Sequence, residues 1–199
     1  MDRIERKEAV ITLRNQDIIG RFVILRPVSA KYAVEIVTLR NKPRNLYCLN
    51  QPGIVSLEDQ LRWIEKYEKK TDDIYWCILD KKERFIGTIR IYDIDMDGMQ
   101  CEEGSYVVDE DVSGEAPYAI ESKMLALDAA FDTLDIGRVK NENRADNKGM
   151  NNMDNQLGFD QGENTLIRGT SYLIRFLSAK DYRLNRSKFS SVIDYWSER

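Results

Sequence analysis

No histidine occurs anywhere in the 199 residues. That absence excludes a Ser-His-Asp or Cys-His mechanism and any His-ligated metal site. An enzyme made from this chain must take its base from a carboxylate, a tuned lysine or tyrosine, or a water. Cysteine is scarce too. Cys48, Cys77 and Cys101 are far apart, with no C-x-x-C, so no disulfide framework is expected. They read as buried free thiols of a reducing cytoplasm. No apolar run approaches the roughly 20 residues needed to cross a bilayer. Residues 1–8 alternate charges and lack the apolar stretch of a signal peptide. A basic excess is also missing. Thirty Lys and Arg against 34 Asp and Glu leave a net charge of −4 and a pI near 5.1, the wrong balance for a nucleic-acid partner. Repeats, low-complexity tracts and linkers are absent. The chain therefore reads as cytoplasmic, with neither membrane, nucleic acid nor metal as a partner.

What is present is enough apolar sequence, 42% of the chain, for one good core. Residues 1–20 are mixed and polar and read as an N-terminal extension or an extra edge element, ahead of a single domain over 21–199. Residues 22–27 form a β-branched strand closed by Pro27. Ser29 is placed to cap a helix with Ala33, Ile36 and Val37 on one face, and residues 44–55, with Pro52-Gly53, read as a loop. Ser56 begins a capping box with Asp59 at its fourth position, followed by a helix with Leu57, Leu61, Ile64 and Tyr67 on one face. Strands are expected at 75–80 and 84–92, joined by a short hairpin, and again at 101–108. Ile120, Met124, Leu127, Phe131 and Leu134 step by four, three, four and three, the stripe of a core-facing helix. A strand from Arg138, a short helix capped near Asp146 or Asn147 and ended by Gly158, a strand over 171–177 and a helix over 188–196 complete the order. This is one α+β domain.

The stretch from Asn147 to Phe159, an asparagine opening a helix that closes in Leu157-Gly158-Phe159, resembles the signature of the GNAT superfamily of N-acetyltransferases. The run Leu127–Val139 is similar to the family's central helix and following strand. Leu39-Arg40-Asn41-Lys42-Pro43 and Gln60-Leu61-Arg62-Trp63-Ile64 resemble the branch of ribosomal-protein and amino-sugar acetyltransferases. The resemblance covers most of residues 21–177, in the family's order. It implies a mixed, mostly antiparallel sheet flanked by helices and splayed at an acetyl-CoA cleft, between the strand ending at Val108 and the strand starting near Arg138.

The resemblance also implies site residues. Val107 and Val108 would pair through their backbone with the pantetheine of acetyl-CoA, the co-substrate. Ser113, Gly114, Ala116, Tyr118 and Ala119 would hold the pyrophosphate at the helix N-terminus, and Asn147 would approach the thioester while capping its own helix. Glu102 is expected as the base, direct or through water, with Glu103 in its place if the strand register is off by one. Arg40, Asn41 and Trp63 would line the acceptor site. The chain departs from the family in three ways. Asp109, Glu110, Asp111 and Glu115 crowd the phosphate loop, and are expected to complement the helix dipole and face solvent. Asp154 stands where the family often has tyrosine, and reads as solvent-facing. Gln60 stands where the branch often has histidine. Tyr92, Tyr106 and Trp76 read as core.

The function implied is transfer of an acetyl group from acetyl-CoA to a small primary amine, with an amino sugar or sugar nucleotide foremost. The alternatives are a protein or peptide N-terminus, as in ribosomal-protein acetyltransferases, and a non-catalytic acyl-CoA-binding or scaffold protein. A homodimer is allowed.

Overall fold

The structure is a computed structural model that describes residues 1–112 and 114–199. Asp2 caps helix α1 (Arg3–Asn15), accepting the Ile4 and Glu5 amides while Glu5 returns a bond to the Asp2 amide. Val10 and Leu13 of α1 are buried, so the segment read as a polar extension contributes to the core. The edge strand β1 (Ile18–Ile19) follows and pairs with β2 (Val23–Pro27). After a 3₁₀ turn come α2 (Ala33–Arg40) and α3 (Pro43–Cys48). The helix α3 takes up residues 44–48 of the loop expected over 44–55, and residues 49–55 are irregular as expected: Pro43 sits in the helix's first turn, where proline's missing N–H costs nothing. Ser56 caps α4 (Leu57–Glu68) as expected, through the Asp59 amide. Its buried face is Gln60, Ile64 and Tyr67, whereas Leu57 and Leu61 are exposed. The expected face holds at Ile64 and Tyr67 and differs at Leu57 and Leu61, where Gln60 is buried instead.

Strands β3 (Ile74–Asp80), β4 (Phe85–Asp95) and β5 (Gln100–Val108) form an antiparallel meander. Every residue of β3 is buried because helices cover both faces of the sheet. Trp76 and Ile78 face the main core, and Cys77 and Leu79 join Tyr32 and Ile36 on the other side. The helix predicted from the 120–134 stripe is α5 (Tyr118–Asp128), continued by a π-turn over Ala129–Thr133. Its Glu121 is buried and accepts the backbone amides of Arg21, Phe22 and Val23 at 2.6, 2.6 and 2.8 Å, so a carboxylate ties the start of β2 to α5.

Strand β6 (Arg138–Arg144), helix α6 (Lys148–Leu157), the hairpin β7 (Glu163–Ile167) and β8 (Thr170–Ser178), and helix α7 (Ala179–Ser197) end the chain. The polar strand β7 went unrecognised, and α7 begins well before residue 188. Gly158 closes α6 in the left-handed region, at φ 97°, as its position predicts. The eight described strands make one sheet in the order β1-β2-β3-β4-β5-β6-β8-β7, antiparallel except between β5 and β6. That one parallel pairing runs only from Gln100↔Arg138 to Glu103↔Asn141. Beyond it the two strands continue without pairing to each other, β5 held by β4 and β6 by β8, so the sheet splits, as the resemblance implies.

Candidate functional site

The split opens into a cavity of about 470 Å³. One wall is the far half of β5. The Asp109 amide donates to the Ile86 carbonyl on the β4 side, so by strand alternation the Val108 N–H and C=O point the other way, into the gap. Val107 and Val108 both line the cavity, and Gly87 on β4 permits the close approach: a Cβ there would lie 2.3 Å from the Val107 oxygen. A second wall is the start of α5. Pro117 precedes its first turn, and no side chain caps it. Its free amides and positive dipole end therefore border the cavity, lined here by Gly114, Ala116, Tyr118 and Ala119. The third wall is α6, where the Asn147 side chain accepts the Met150 amide as the N-cap and Asn147, Met150 and Met153 line the space. The residues predicted for the acyl donor thus converge on one cavity; Ser113 lies outside the described residues.

Further side chains enter this cavity from elements that the resemblance does not assign to the acyl donor. Arg44 and Cys48 come from α3, the segment read as loop, and Trp196 from α7. Tyr106, read as core, lines the cavity and donates from its hydroxyl to the Ala119 carbonyl at 2.5 Å, fixing the start of α5 to β5. The acidic residues near the mouth are paired rather than simply solvated. Lys42 Nζ lies 2.6 Å from Asp109 and 2.5 Å from Asp111, Arg44 reaches Glu110, and Arg84 bridges Glu115 to Asp80. Tyr47 on the same helix α3 bonds Asp146 beyond β6, with Arg144 over its ring. So α3 and its N-cap Lys42 span the split from one strand to the other, and the cations Lys42 and Arg44 offset part of the negative charge that would otherwise repel a phosphate.

Behind the cavity lies a buried ionic cluster. Lys123 of α5 is 2.7 Å from Asp154 and 2.9 Å from Glu103, and all three are almost completely buried. Asn141 and Asn143 donate to the second oxygen of Asp154 at 2.9 and 2.5 Å. Asp154 is therefore neither solvent-facing nor free to act as an acid. Its side chain points inward because α6 packs that face on β6, and three donors engage its two oxygens. Burial pushes the Glu103 carboxyl up; the Lys123 ammonium pulls it back and the Asp154 charge raises it again. Burial alone would lower the Lys123 ammonium, but Asp154 and Glu103 outweigh it and hold the group above its ordinary value.

Glu102 lies on the opposite face of β5, as alternation requires. Its carboxylate takes bonds from the Tyr92 hydroxyl and from Lys140 at 2.9 Å, and Lys140 also reaches Glu142. Neither Glu102 nor Glu103 lines the cavity; both belong to the last stretch of β5 still paired with β6.

A second cavity, of about 290 Å³, lies on the α4 side of β5. Arg40 and Trp63, expected for the acceptor site, line this cavity together with Gln60, Tyr75, Arg90 and Ser105. Asn41 does not. Its amide exchanges two hydrogen bonds with the backbone of Val55, at 2.8 and 2.9 Å, and pins the chain between α3 and α4. Ser105 is held at φ 47°, next to a register shift in the β4–β5 pairing. Its neighbour Tyr106 lines the first cavity, so consecutive residues of β5 border the two spaces.

A split strand pair, free strand edge and uncapped helix N-terminus make a cleft for an extended, phosphate-bearing acyl carrier. Residues 23–160 match the family model described as the acetyltransferase (GNAT) domain. The chain belongs to the GNAT acetyltransferase family. It is an acyltransferase, and GNAT acetyltransferases use acetyl-CoA. Three solved structures share the fold. FdhC, described as a nucleotide-linked sugar GNAT, is 23% identical over 90% of this chain and 99% of its own, with TM-score 0.73. The spermidine N-acetyltransferase of Vibrio cholerae, in complex with CoA and spermine, is 15% identical over 82% and 99%, with TM-score 0.75. A ribosomal-protein-serine acetyltransferase described from the same organism is 14% identical over 83% and 98%, with TM-score 0.66. No curated relative matches the sequence. Among the described residues no group of three or more Cys, Asp or Glu side chains is arranged to hold a metal, and no helix is long and apolar enough to cross a membrane.

Proposed function

We propose that this GNAT protein moves the acetyl group of acetyl-CoA to a small primary amine, foremost an amino sugar or sugar nucleotide. The observation that carries this reading is that consecutive residues of β5, Ser105 and Tyr106, border two cavities: one suits the acyl donor, the other is lined by Arg40 and Trp63. The pantetheine would lie along Val107 and Val108 as an added strand, with the pyrophosphate on the amides at the start of α5. The amine nitrogen attacks the thioester carbonyl carbon, the C–S bond breaks, and the proton lost from nitrogen ends on the departing sulfur. Asp154 is already engaged by three donors, so this proton comes from the amine or a water rather than from a side chain in the family's tyrosine position. A free amine is required, so the bound ammonium must first lose one proton, and Glu102, which lines neither cavity, is the carboxylate proposed to accept that first proton through water.

The test is turnover of acetyl-CoA with a panel of amines. Binding should be saturable, and acetyl-CoA at 100 times its Kd should add about 2.7 kcal/mol of stability. Glu102→Gln should lower kcat by roughly 10²–10⁴ with little change in acetyl-CoA affinity. Absence of any thermal shift at millimolar acetyl-CoA would sink the proposal. A variant near the wild-type rate would remove Glu102 and leave an amine that deprotonates in solution.

A further inference from the structure

The second cavity has an unusual set of unused polar groups. Arg40 ends α2 and lines the cavity, and among the described residues no carboxylate pairs with its guanidinium. The other charged residues of the lining are committed elsewhere. Arg90 is locked onto Asp73, with Nε 2.7 Å from its carboxylate, while Asp59 is bonded to Ser56 and Arg62. Arg40 is therefore the uncompensated charge of the space. Two further groups lack partners: the Tyr75 hydroxyl, on a residue only 3% exposed, and the Gln51 carbonyl oxygen are buried with no hydrogen bond. Both residues line the same cavity. Buried polar atoms are rarely left unmade, because each such loss costs what its desolvation costs. A free cation, an orphaned hydroxyl and an orphaned carbonyl around one space together describe a ligand that is anionic and also carries hydrogen-bonding groups.

Resting on the acetyltransfer reading, we propose that this cavity selects acceptors bearing an anionic group, a phosphate or a carboxylate held by Arg40. Tyr75 and Gln51 bond the polar body of the same molecule, and the amine extends past Ser105 toward the thioester. Arg40 suits either anion, since its planar guanidinium presents paired donors to both. A polyamine is disfavoured for the same reason. Its ammonium groups would meet a free arginine, and the one carboxylate in the lining is already engaged.

The experiment is calorimetric titration with CoA held saturating, so that the first cavity is filled. The probes are glucosamine 6-phosphate, UDP-glucosamine, glutamate, glucosamine and spermidine. At least one of the three anionic amines should bind tenfold or more tightly than glucosamine and spermidine. Arg40→Gln should weaken that binding roughly 10- to 100-fold, as expected for loss of a charge-assisted bond. Tyr75→Phe should weaken it several-fold, and both variants should keep wild-type CoA affinity, which reports an intact fold. Which probe shows the Arg40 dependence separates phosphate from carboxylate. Tighter binding of glucosamine or spermidine, anion binding indifferent to Arg40, or no binding of any probe would each overturn the proposal. Arg40-dependent binding without acetyl transfer from acetyl-CoA would keep the subsite and overturn the acetyltransfer reading instead.

Discussion

Among single residues, Glu103 shows how far a position can differ from its reading. Alternation along β5 correctly puts it opposite Glu102. What the alternation does not carry is the partner, because Lys123 is 20 positions away on another element. One cation between two carboxylates leaves the buried cluster with excess negative charge, and burial with the Asp154 charge raises Glu103 above its ordinary 4.5 despite Lys123. A carboxyl whose pKa rises on folding holds its proton more tightly in the native state, so stability is lost as pH climbs from 4.5 into the raised range. Glu103→Gln cannot titrate and leaves Lys123 paired one to one with Asp154. Its melting temperature relative to wild type should therefore climb as pH increases above 4.5, at roughly 2–4 °C per kcal/mol for a chain this size. Thermal melts at a series of pH values measure this, and a difference flat in pH would remove Glu103 from the ionic balance of the core. Asp154 carries a related lesson. Its polar type suggested solvent, and only the packing of α6 on β6 turns it inward to three donors.

Among elements, α3 is the one whose role was invisible. The segment has a proline at its start, no apolar stripe and no buried residue, so periodicity offered nothing to read. Its function is electrostatic: it brings Lys42 and Arg44 to the acids at the end of β5 and Tyr47 to Asp146. Lys42→Ala should leave Asp109 and Asp111 uncompensated beside the cavity and raise KM for acetyl-CoA up to roughly fivefold, the span of a partly exposed ion pair. The increase should fade near 1 M salt, where the screening length is about 3 Å. Steady-state kinetics at two ionic strengths decide this, and a KM unchanged at low salt would make the Lys42 pairs incidental. Helix α6 was more transparent. Asn147 and Gly158 mark its two ends by chemistry that is local to the chain, and both caps are present.

For the whole molecule, the sheet is split but the core is not. One apolar cluster runs from Val23 and Ile89 on one side of the division to Val139 and Leu177 on the other, with Phe131 of the π-turn and Tyr182 of α7 stacked at 5.0 Å between ring centres. Burying apolar surface across the split couples the halves more strongly than the short β5–β6 pairing could. Thermal unfolding without ligand should accordingly be a single transition, with near- and far-ultraviolet circular dichroism coincident and calorimetric and van't Hoff enthalpies equal. Two separated transitions would show that the β6–β8 half folds independently.

By itself the sequence determined what is written in short-range pattern: the strands with alternating or β-branched runs, the stripe of α5, the caps of α6, and the resemblance that names the cleft. It also determined, through the missing histidine, which chemistries are closed to the enzyme. Only the tertiary structure decided which charged groups meet. The Lys42 bridge, the Lys123 cluster and the free Arg40 sharing a cavity with Tyr75 join residues 20 to 69 positions apart, except Arg40 and Gln51, which a single turn of chain brings back together. Pairing between charges depends on distance and burial, and neither is encoded in the identity of a residue or its neighbours. A free arginine and a neutralised one are the same letter until the fold supplies, or withholds, the carboxylate.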